Sequence, residues 1–311
     1  MKREIRVFAP ATVANVACGF DILGFAIDQP GDEVIVRLID KPGVYIVKIS
    51  GDQGRLPLAA EKNTVSVSIL ALLKHLKSNQ GFEIELMKRM PLGSGLGSSA
   101  ASTVAGVFAA NILLGNPLAK EELLPFATEG ERIACGSAHA DNAAPALLGG
   151  FVLIRSYQPL DVIQIATPKD LYCTVLHPQI EIRTEDARKI LKKSILIKDA
   201  ITQWGNIAGL IAGLMKSDYD LIRRSLQDVI IEPIRSILIP GFHEVKQAAL
   251  ASGALGCSIS GSGPSLFALS STREVASKAG DAMQAVMNSL NIASEIYISK
   301  INPVGPRILE N

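Results

Sequence analysis

The segment Pro91-Leu92-Gly93-Ser94-Gly95-Leu96-Gly97-Ser98-Ser99-Ala100-Ala101 constrains this chain more than any other. It follows an alternating apolar stretch at 82–87 and runs directly into a region at 100–114 rich in alanine, so it reads as a strand-to-helix turn. Its glycines permit positive φ and close approach of the backbone to a ligand. The N–H groups at the start of the following helix can then converge on phosphate oxygens. Ser98 and Ser99 stand where a hydroxyl can cap that helix or ligate a cation. The segment is not a P-loop, because no lysine follows the last glycine. It is a poor dinucleotide fingerprint as well, since Ser98 takes the third glycine position and no βαβ unit precedes it. The density of glycine and serine also argues against a turn that merely links two elements.

A chain of 311 residues, 48% of them apolar, exceeds one comfortable core and fits two domains. Gln158-Pro159 interrupts the pattern, which divides the chain into 1–157 and 158–311. Lys plus Arg total 31 against 30 Asp plus Glu, a balance that gives no reason to expect nucleic acid or an anionic membrane as partner. Cys18, Cys135, Cys173 and Cys257 form no C-x-x-C pair and read as buried thiols of a reducing compartment. The N-terminus turns polar too soon for a signal peptide, and no apolar run reaches membrane-spanning length. The expectation is a cytoplasmic protein.

Alternation at 34–38 and 44–49, with Lys41-Pro42-Gly43 between, predicts an antiparallel pair of strands. Helical spacing appears at 64–77 and 119–134. In the second of these, Leu124, Ala127 and Ala134 share a face with Glu131. A carboxylate on an inward stripe is costly unless a cation or donor compensates it, so Glu131 is the first candidate metal ligand. Glu129 points elsewhere and reads as a surface residue. The second half mixes strands and helices without a steady βαβ rhythm, and the whole reads as α+β with two layers per domain.

The glycine segment resembles the ATP-binding motif of the GHMP superfamily, which comprises galactokinase, homoserine kinase, mevalonate kinase and phosphomevalonate kinase. Three further blocks are similar to homoserine kinases in particular. They are Pro10-Ala11-Thr12-Val13-Ala14-Asn15 with Gly19-Phe20-Asp21, Gly136-Ser137-Ala138-His139-Ala140-Asp141-Asn142 with Pro145, and Ser260-Gly261-Ser262-Gly263-Pro264-Ser265. The first block departs from the usual pattern, with Val13 for Ser and Val16-Ala17-Cys18 for Leu-Gly-Pro, but Asn15 and Asp21 are intact. The resemblance spans nearly the whole chain. It implies a ribosomal-S5-domain-2-like N-terminal domain, a ferredoxin-like C-terminal domain and a cleft between them. It further implies a homodimer, and phosphorylation of L-homoserine by ATP with Mg²⁺ on the route to threonine.

On that resemblance, residues Pro91 to Ala101 hold the triphosphate, and Ser99 joins Glu131 on Mg²⁺, with Ser98 as the capping alternative. Arg188 and Arg235 match positions that clamp the substrate carboxylate, and Thr184 adds a hydroxyl. Asp21, beside Asn15, is the partner for the ammonium, and His139 and Asn142 line the hydroxyl end. Gly261 lies in a loop that either donates N–H groups to a ligand or forms a tight hairpin. Two routes remain for the hydroxyl proton: to Asp141, or directly to a phosphate oxygen. The rival readings are a kinase for mevalonate, shikimate or a sugar, and a nucleotide-binding protein without catalysis on this scaffold. An ammonium partner at Asp21 favours an amino acid.

Overall fold

The computed structural model describes residues 3–135 and 139–310. Ile5 and Val7 are buried while Glu4 and Arg6 between them are half-exposed, the period-two pattern that makes β1 (Glu4–Ala14) a strand. It pairs antiparallel with β2 (Leu23–Ile39), a strand long enough to serve two neighbours. After β2 come β3 (Gly43–Ser50), α1 (Thr64–His75) and β4 (Gly81–Met87). The glycine turn then leads into α2 (Ser98–Leu113), α3 (Leu124–Cys135) and α4 (Ala140–Leu148), followed by the hairpin β5 (Phe151–Tyr157) and β6 (Leu160–Ile165).

The strands at 34–38 and 44–49 are not a hairpin. β4 lies between β2 and β3, pairing antiparallel with β2 and parallel with β3. A parallel pair needs a crossover, and α1 supplies it. The insertion depends on Gly81, where a Cβ would fall 1.8 Å from the Lys41 carbonyl oxygen. β5 continues the sheet from the other half of β2, with Leu23 opposite Leu153 and Phe25 opposite Phe151. Gln158-Pro159 is the turn of the β5–β6 hairpin, so 160–165 extends the first sheet.

The second unit contains β7 (Tyr172–Pro178), α5 (Thr184–Lys189), α6 (Ile197–Lys216), α7 (Tyr219–Ser225), α8 (Glu232–Arg235) and α9 (Phe242–Ala251). It closes with β8 (Gly256–Ile259), β9 (Leu266–Ser270), α10 (Arg273–Ser289) and β10 (Ser294–Lys300). Its four strands are antiparallel in the order β10-β7-β9-β8. One face of that sheet packs on α9 and α10 through Leu176, Leu266, Val245 and Met283. The other face, through Val175, Phe267 and Leu269, joins the core of the first unit. Phe25 stacks on Phe151 at 4.4 Å between centroids and meets Phe267 edge-on at 5.9 Å. Each such ring contributes about 1.5–3 kcal/mol by burial. The chain then returns, and β11 (Arg307–Leu309) pairs with β1.

Among the described residues, Cys18, Cys173 and Cys257 are free and buried. No helix among them is long and apolar enough to cross a membrane.

Candidate active site

The glycine turn fulfils its backbone promise. Gly93, Gly95 and Gly97 have φ of +68°, +76° and +66°. A Cβ on Gly97 would sit 2.0 Å from Thr12 Oγ1 and 2.8 Å from Asn142 Oδ1, so only glycine fits between them. Gly97 is also the N-cap of α2, without a side-chain cap. Beneath that helix start lies a fully buried ion pair. Lys88 Nζ binds Asp32, the Ser98 carbonyl at 2.8 Å and Ser102 Oγ at 2.8 Å. Asp32 also accepts from the Arg89 and Met90 N–H groups and from Ser98 Oγ at 2.8 Å. Ser98 is therefore committed to Asp32 and caps nothing.

Ser99 is placed differently. Its Oγ and Glu131 Oε1 are both buried without a hydrogen-bond partner. Burial pushes the Glu131 carboxyl up to about 7. The nearby Ser99 hydroxyl and the Lys88 charge pull the other way without completing a bond to Oε1. Leu124 and Ala127 share the buried face of α3 with Glu131, and Arg132 pairs with exposed Glu129 instead. Buried oxygens left without a partner are costly, and a cation reaching both would compensate them.

These groups line one end of a cleft of about 490 Å³, whose other end is lined by Asn15, Asp21, His139, Asp141, Thr184, Arg188 and Arg235. At that far end the polar groups are already joined. Arg188 forks onto Asp21 with contacts of 3.1 and 2.6 Å. The Arg188 and Arg235 guanidiniums both lie over the Phe20 ring, at 5.3 and 4.9 Å from its centroid. Burial and the neighbouring Arg188 charge lower Arg235 to about 10. Two guanidiniums close to one ring concentrate positive charge at this end of the cleft. His139 Nδ1 stands 3.8 Å from Asp21, and burial lowers its pKa. Burial, then the Asp21 charge, raises Asp141 to about 7. Asn142 accepts from Thr12 Oγ1 at 2.8 Å.

In the loop between β8 and β9 three N–H groups bond within the protein: Gly261 donates to the Ala14 carbonyl, Gly263 to Ser260, and Ser265 to Ser94, while Gly261 and Ser262 line the cleft. The Gly261 carbonyl accepts from Asn15 Nδ2 at 2.7 Å and Arg235 Nη1 at 3.0 Å. Ser260 Oγ reaches the Gly95 carbonyl at 2.8 Å. The loop clasps the glycine turn to the acceptor end, while Thr184 Oγ1 meets Ser262 Oγ at 3.2 Å.

The family described as GHMP kinases N terminal domain matches residues 63–150, and the family described as GHMP kinases C terminal matches 210–289. A homoserine kinase of Chlorobium phaeobacteroides is 55% identical over 99% of this chain and all of its own length. The chain belongs to the homoserine kinases, within the GHMP kinases. The crystal structure of homoserine kinase from Cytophaga hutchinsonii is 63% identical and superposes with a TM-score of 0.98, over 99% of this chain and 98% of that one. Leishmania major mevalonate kinase in complex with R-mevalonate has a TM-score of 0.69 over 97% and 98% of the two chains, but only 18% identity, which shows shared fold alone.

In this GHMP kinase most of the residues named from sequence line one cleft, but Pro91 is not in its lining and Leu96, Ala100 and Ala101 are wholly buried in the core; Gly136, Ser137 and Ala138 lie outside the described residues. Several contributors escaped the sequence reading. Lys88 stands in the basic pair Lys88-Arg89 just ahead of the glycine segment, a signal that was present, whereas Asp32 is 56 positions away and carries none. Phe20 sat inside a quoted motif without a role. Tyr157 donates from its hydroxyl to the Asp21 carbonyl at 2.6 Å and faces His139 edge-on.

Proposed function

We propose that this protein transfers the γ-phosphoryl group of ATP to the side-chain hydroxyl of L-homoserine, giving ADP and O-phospho-L-homoserine. The observation that carries this reading is the polarity of this cleft. One end offers a glycine-lined helix start and two unpartnered oxygens, and the other offers two arginines and an aspartate spaced for a zwitterion. The triphosphate lies along Gly93–Gly97 and the α2 N-terminus, where the buried Asp32–Lys88 pair keeps the turn in place.

Mg²⁺ fits the donor set, because Ser99 Oγ and Glu131 Oε1 are buried oxygens lacking a partner. Two protein oxygens suit a cation whose remaining ligands would be phosphate oxygens and water. When bound, the cation neutralises charge on the phosphate oxygens. Arg235 and Arg188 hold the substrate carboxylate and Asp21 its ammonium, so the substrate opens the Asp21–Arg188 fork and replaces both halves. His139 and Asn142 orient the hydroxyl. The hydroxyl oxygen forms the new O–P bond as the β–γ bridge breaks toward ADP. Its proton goes to Asp141, whose carboxyl near 7 suits a base at neutral pH.

The β-α-β-β-α-β order of the second unit supports the ferredoxin-like assignment, and the sheet carrying the glycine turn is the S5-like unit. The pairing of β5 with β6 supports a division between β6 and β7. A homodimer is consistent with the exposed apolar row Ile197, Ile201 and Trp204 on α6, and light scattering tests it. We place the reaction in the cytoplasm, where the buried thiols stay reduced.

The deciding experiment is ADP release from ATP–Mg²⁺ with L-homoserine, run beside mevalonate, galactose, shikimate and L-serine. Turnover with homoserine alone supports the reading. Turnover with a sugar or mevalonate instead removes the arginine clamp, and none at all favours the non-catalytic alternative.

A further inference from the structure

The loop that presents Phe20 and Asp21 is held in an unfavourable backbone shape. Asn15, Val16 and Ala17 have φ of +72°, +43° and +57°, and Asp21 has +62°. None is glycine, and Val16 is β-branched, for which this region is an outlier. Such residues are strained and persist only when their surroundings over-determine them. The hydrogen bonds within the loop, such as Gly19 N–H to the Asn15 carbonyl, shape the turn but do not fix it in the protein.

Besides Tyr157 on Asp21 and Gly261 on Asn15, a glutamine from a distant helix anchors the middle of the loop. Gln203 on α6 is 5% exposed, although Ile201 and Trp204 beside it face solvent. Its Nε2 donates to the Cys18 carbonyl and to Asp228 Oδ1, both at 2.9 Å, and its Oε1 accepts from the Val229 N–H at 3.1 Å. Asp228 is also buried. Its Oδ1 accepts from the Ile230 and Ile231 N–H groups and its Oδ2 from the Glu232 N–H at 2.8 Å. Those are the N–H groups at the start of α8, which ends in Arg235. Neither Gln203 nor Asp228 lines the cleft.

We propose that Gln203 and Asp228 are positioning residues of the acceptor site. Through them the strained loop bearing Phe20 and Asp21 is tied to the turn bearing Arg235, which sets the distance between the ammonium and carboxylate ends. The inference rests on the amino-acid reading of that cleft. A buried polar node is worth its hydrogen bonds only when every member is satisfied, and here every donor and acceptor of the Gln203 amide group is used or shared. Breaking it lets both arms of the clamp drift while the nucleotide end, built on other elements, stays in place.

The test uses the full-length protein and its Q203M, D228N and Q203M/D228N variants, with unfolding transitions recorded alongside kinetics. Wild-type turnover of L-homoserine is measured first, and its absence sinks the functional reading independently of this one. With that turnover in hand, Q203M is expected to raise the KM for homoserine about tenfold and to change the KM for ATP by less than about twofold. The preference for L-homoserine over 4-hydroxybutanoate, which keeps the carboxylate but lacks the ammonium, falls in the same variants. The double variant is no worse than the more damaged single one, since the two side chains act as a unit. An unchanged homoserine KM, or a rise shared equally by both substrates, overturns the proposal. Should Q203M fail to fold, Q203E keeps the volume and the acceptor for Val229 while losing both donors, and carries the same readout.

Discussion

At the nucleotide end of the cleft the backbone turns left-handed at Gly93, Gly95 and Gly97, whereas at the acceptor end it does so at Asn15, Val16, Ala17 and Asp21. The side chains differ in the same direction. Ser99 and Glu131 keep buried oxygens without partners, while Asp21 and Arg188 already hold each other. One end therefore waits for a ligand to supply what is missing, and the other must have an existing contact exchanged. Filling an orphaned site favours tight, undiscriminating capture of a triphosphate. Exchanging an internal ion pair favours only a ligand that satisfies both halves, because removing one partner leaves the other charge uncompensated. Affinity is thus built into one end and selectivity into the other.

The largest effect that can break this contrast is at Glu131. With Glu131 in its proposed role as a cation ligand, Glu131→Gln is expected to lower kcat about 10³-fold, with the homoserine KM little changed. Steady-state kinetics at saturating ATP–Mg²⁺ check it, and an unaltered kcat would mean the orphaned oxygens serve no metal.

Asp141 sits between the two ends, and its carboxyl is raised to about 7 by burial first and the Asp21 charge second. As a base it must be deprotonated, so kcat/KM rises as pH increases through about 7. Asp141→Asn lowers kcat about 10²–10⁴-fold. The stability consequence has the opposite sign. A carboxyl whose folded pKa lies above its unfolded value stabilises the fold while protonated. That contribution is complete below about 4 and is lost as pH climbs to about 7. Denaturant titrations of wild type and D141N across that window should show the decline in wild type only in part removed by the variant, since Glu131 titrates in the same range. A D141N enzyme with near-normal kcat would send the proton to a phosphate oxygen.

Arg235→Leu comes next. Losing one charge-assisted contact of about 1.5–3 kcal/mol raises the homoserine KM about 10–10²-fold, with the ATP KM held. Equal changes in both would show that the two ends are not separable.

The same contrast explains what the sequence disclosed. Glycine and serine in a short run announce a phosphate-binding turn because few other residues can adopt that backbone, and an inward carboxylate on α3 announces itself by period. The parallel insertion of β4 was hidden because Lys41-Pro42-Gly43 is a good hairpin turn locally, and only the three-stranded arrangement decides against it. The acceptor end was legible in its motif residues but not in its geometry. Nothing in Asn15-Val16-Ala17 announces positive φ, since valine and alanine are poor residues for it. The supports that impose it, Gln203 and Asp228, lie far along the chain. The Asp32–Lys88 pair was missed for the same reason: long-range polar pairing leaves no periodic trace.

The smallest predicted effect is the most direct probe of that hidden strain. Ala17→Gly removes a left-handed penalty of about 1–2 kcal/mol. Against this stand about 0.5–1 kcal/mol of added backbone entropy and about 0.8 kcal/mol for the lost buried methyl. The terms nearly cancel, so unfolding free energy should change by less than about 1 kcal/mol. Ala105→Gly, an equally buried alanine within α2, has no strain to relieve and should cost about 2 kcal/mol from helix propensity and burial together. Chemical denaturation of the two variants compares them directly. Equal losses would mean that Ala17 is not strained in solution, and the acceptor loop would then need no distant support. A silent Ala17→Gly beside a costly Ala105→Gly would place the strain where the backbone angles put it. It would also leave the homoserine KM as the quantity that reports whether Gln203 still holds the loop in register.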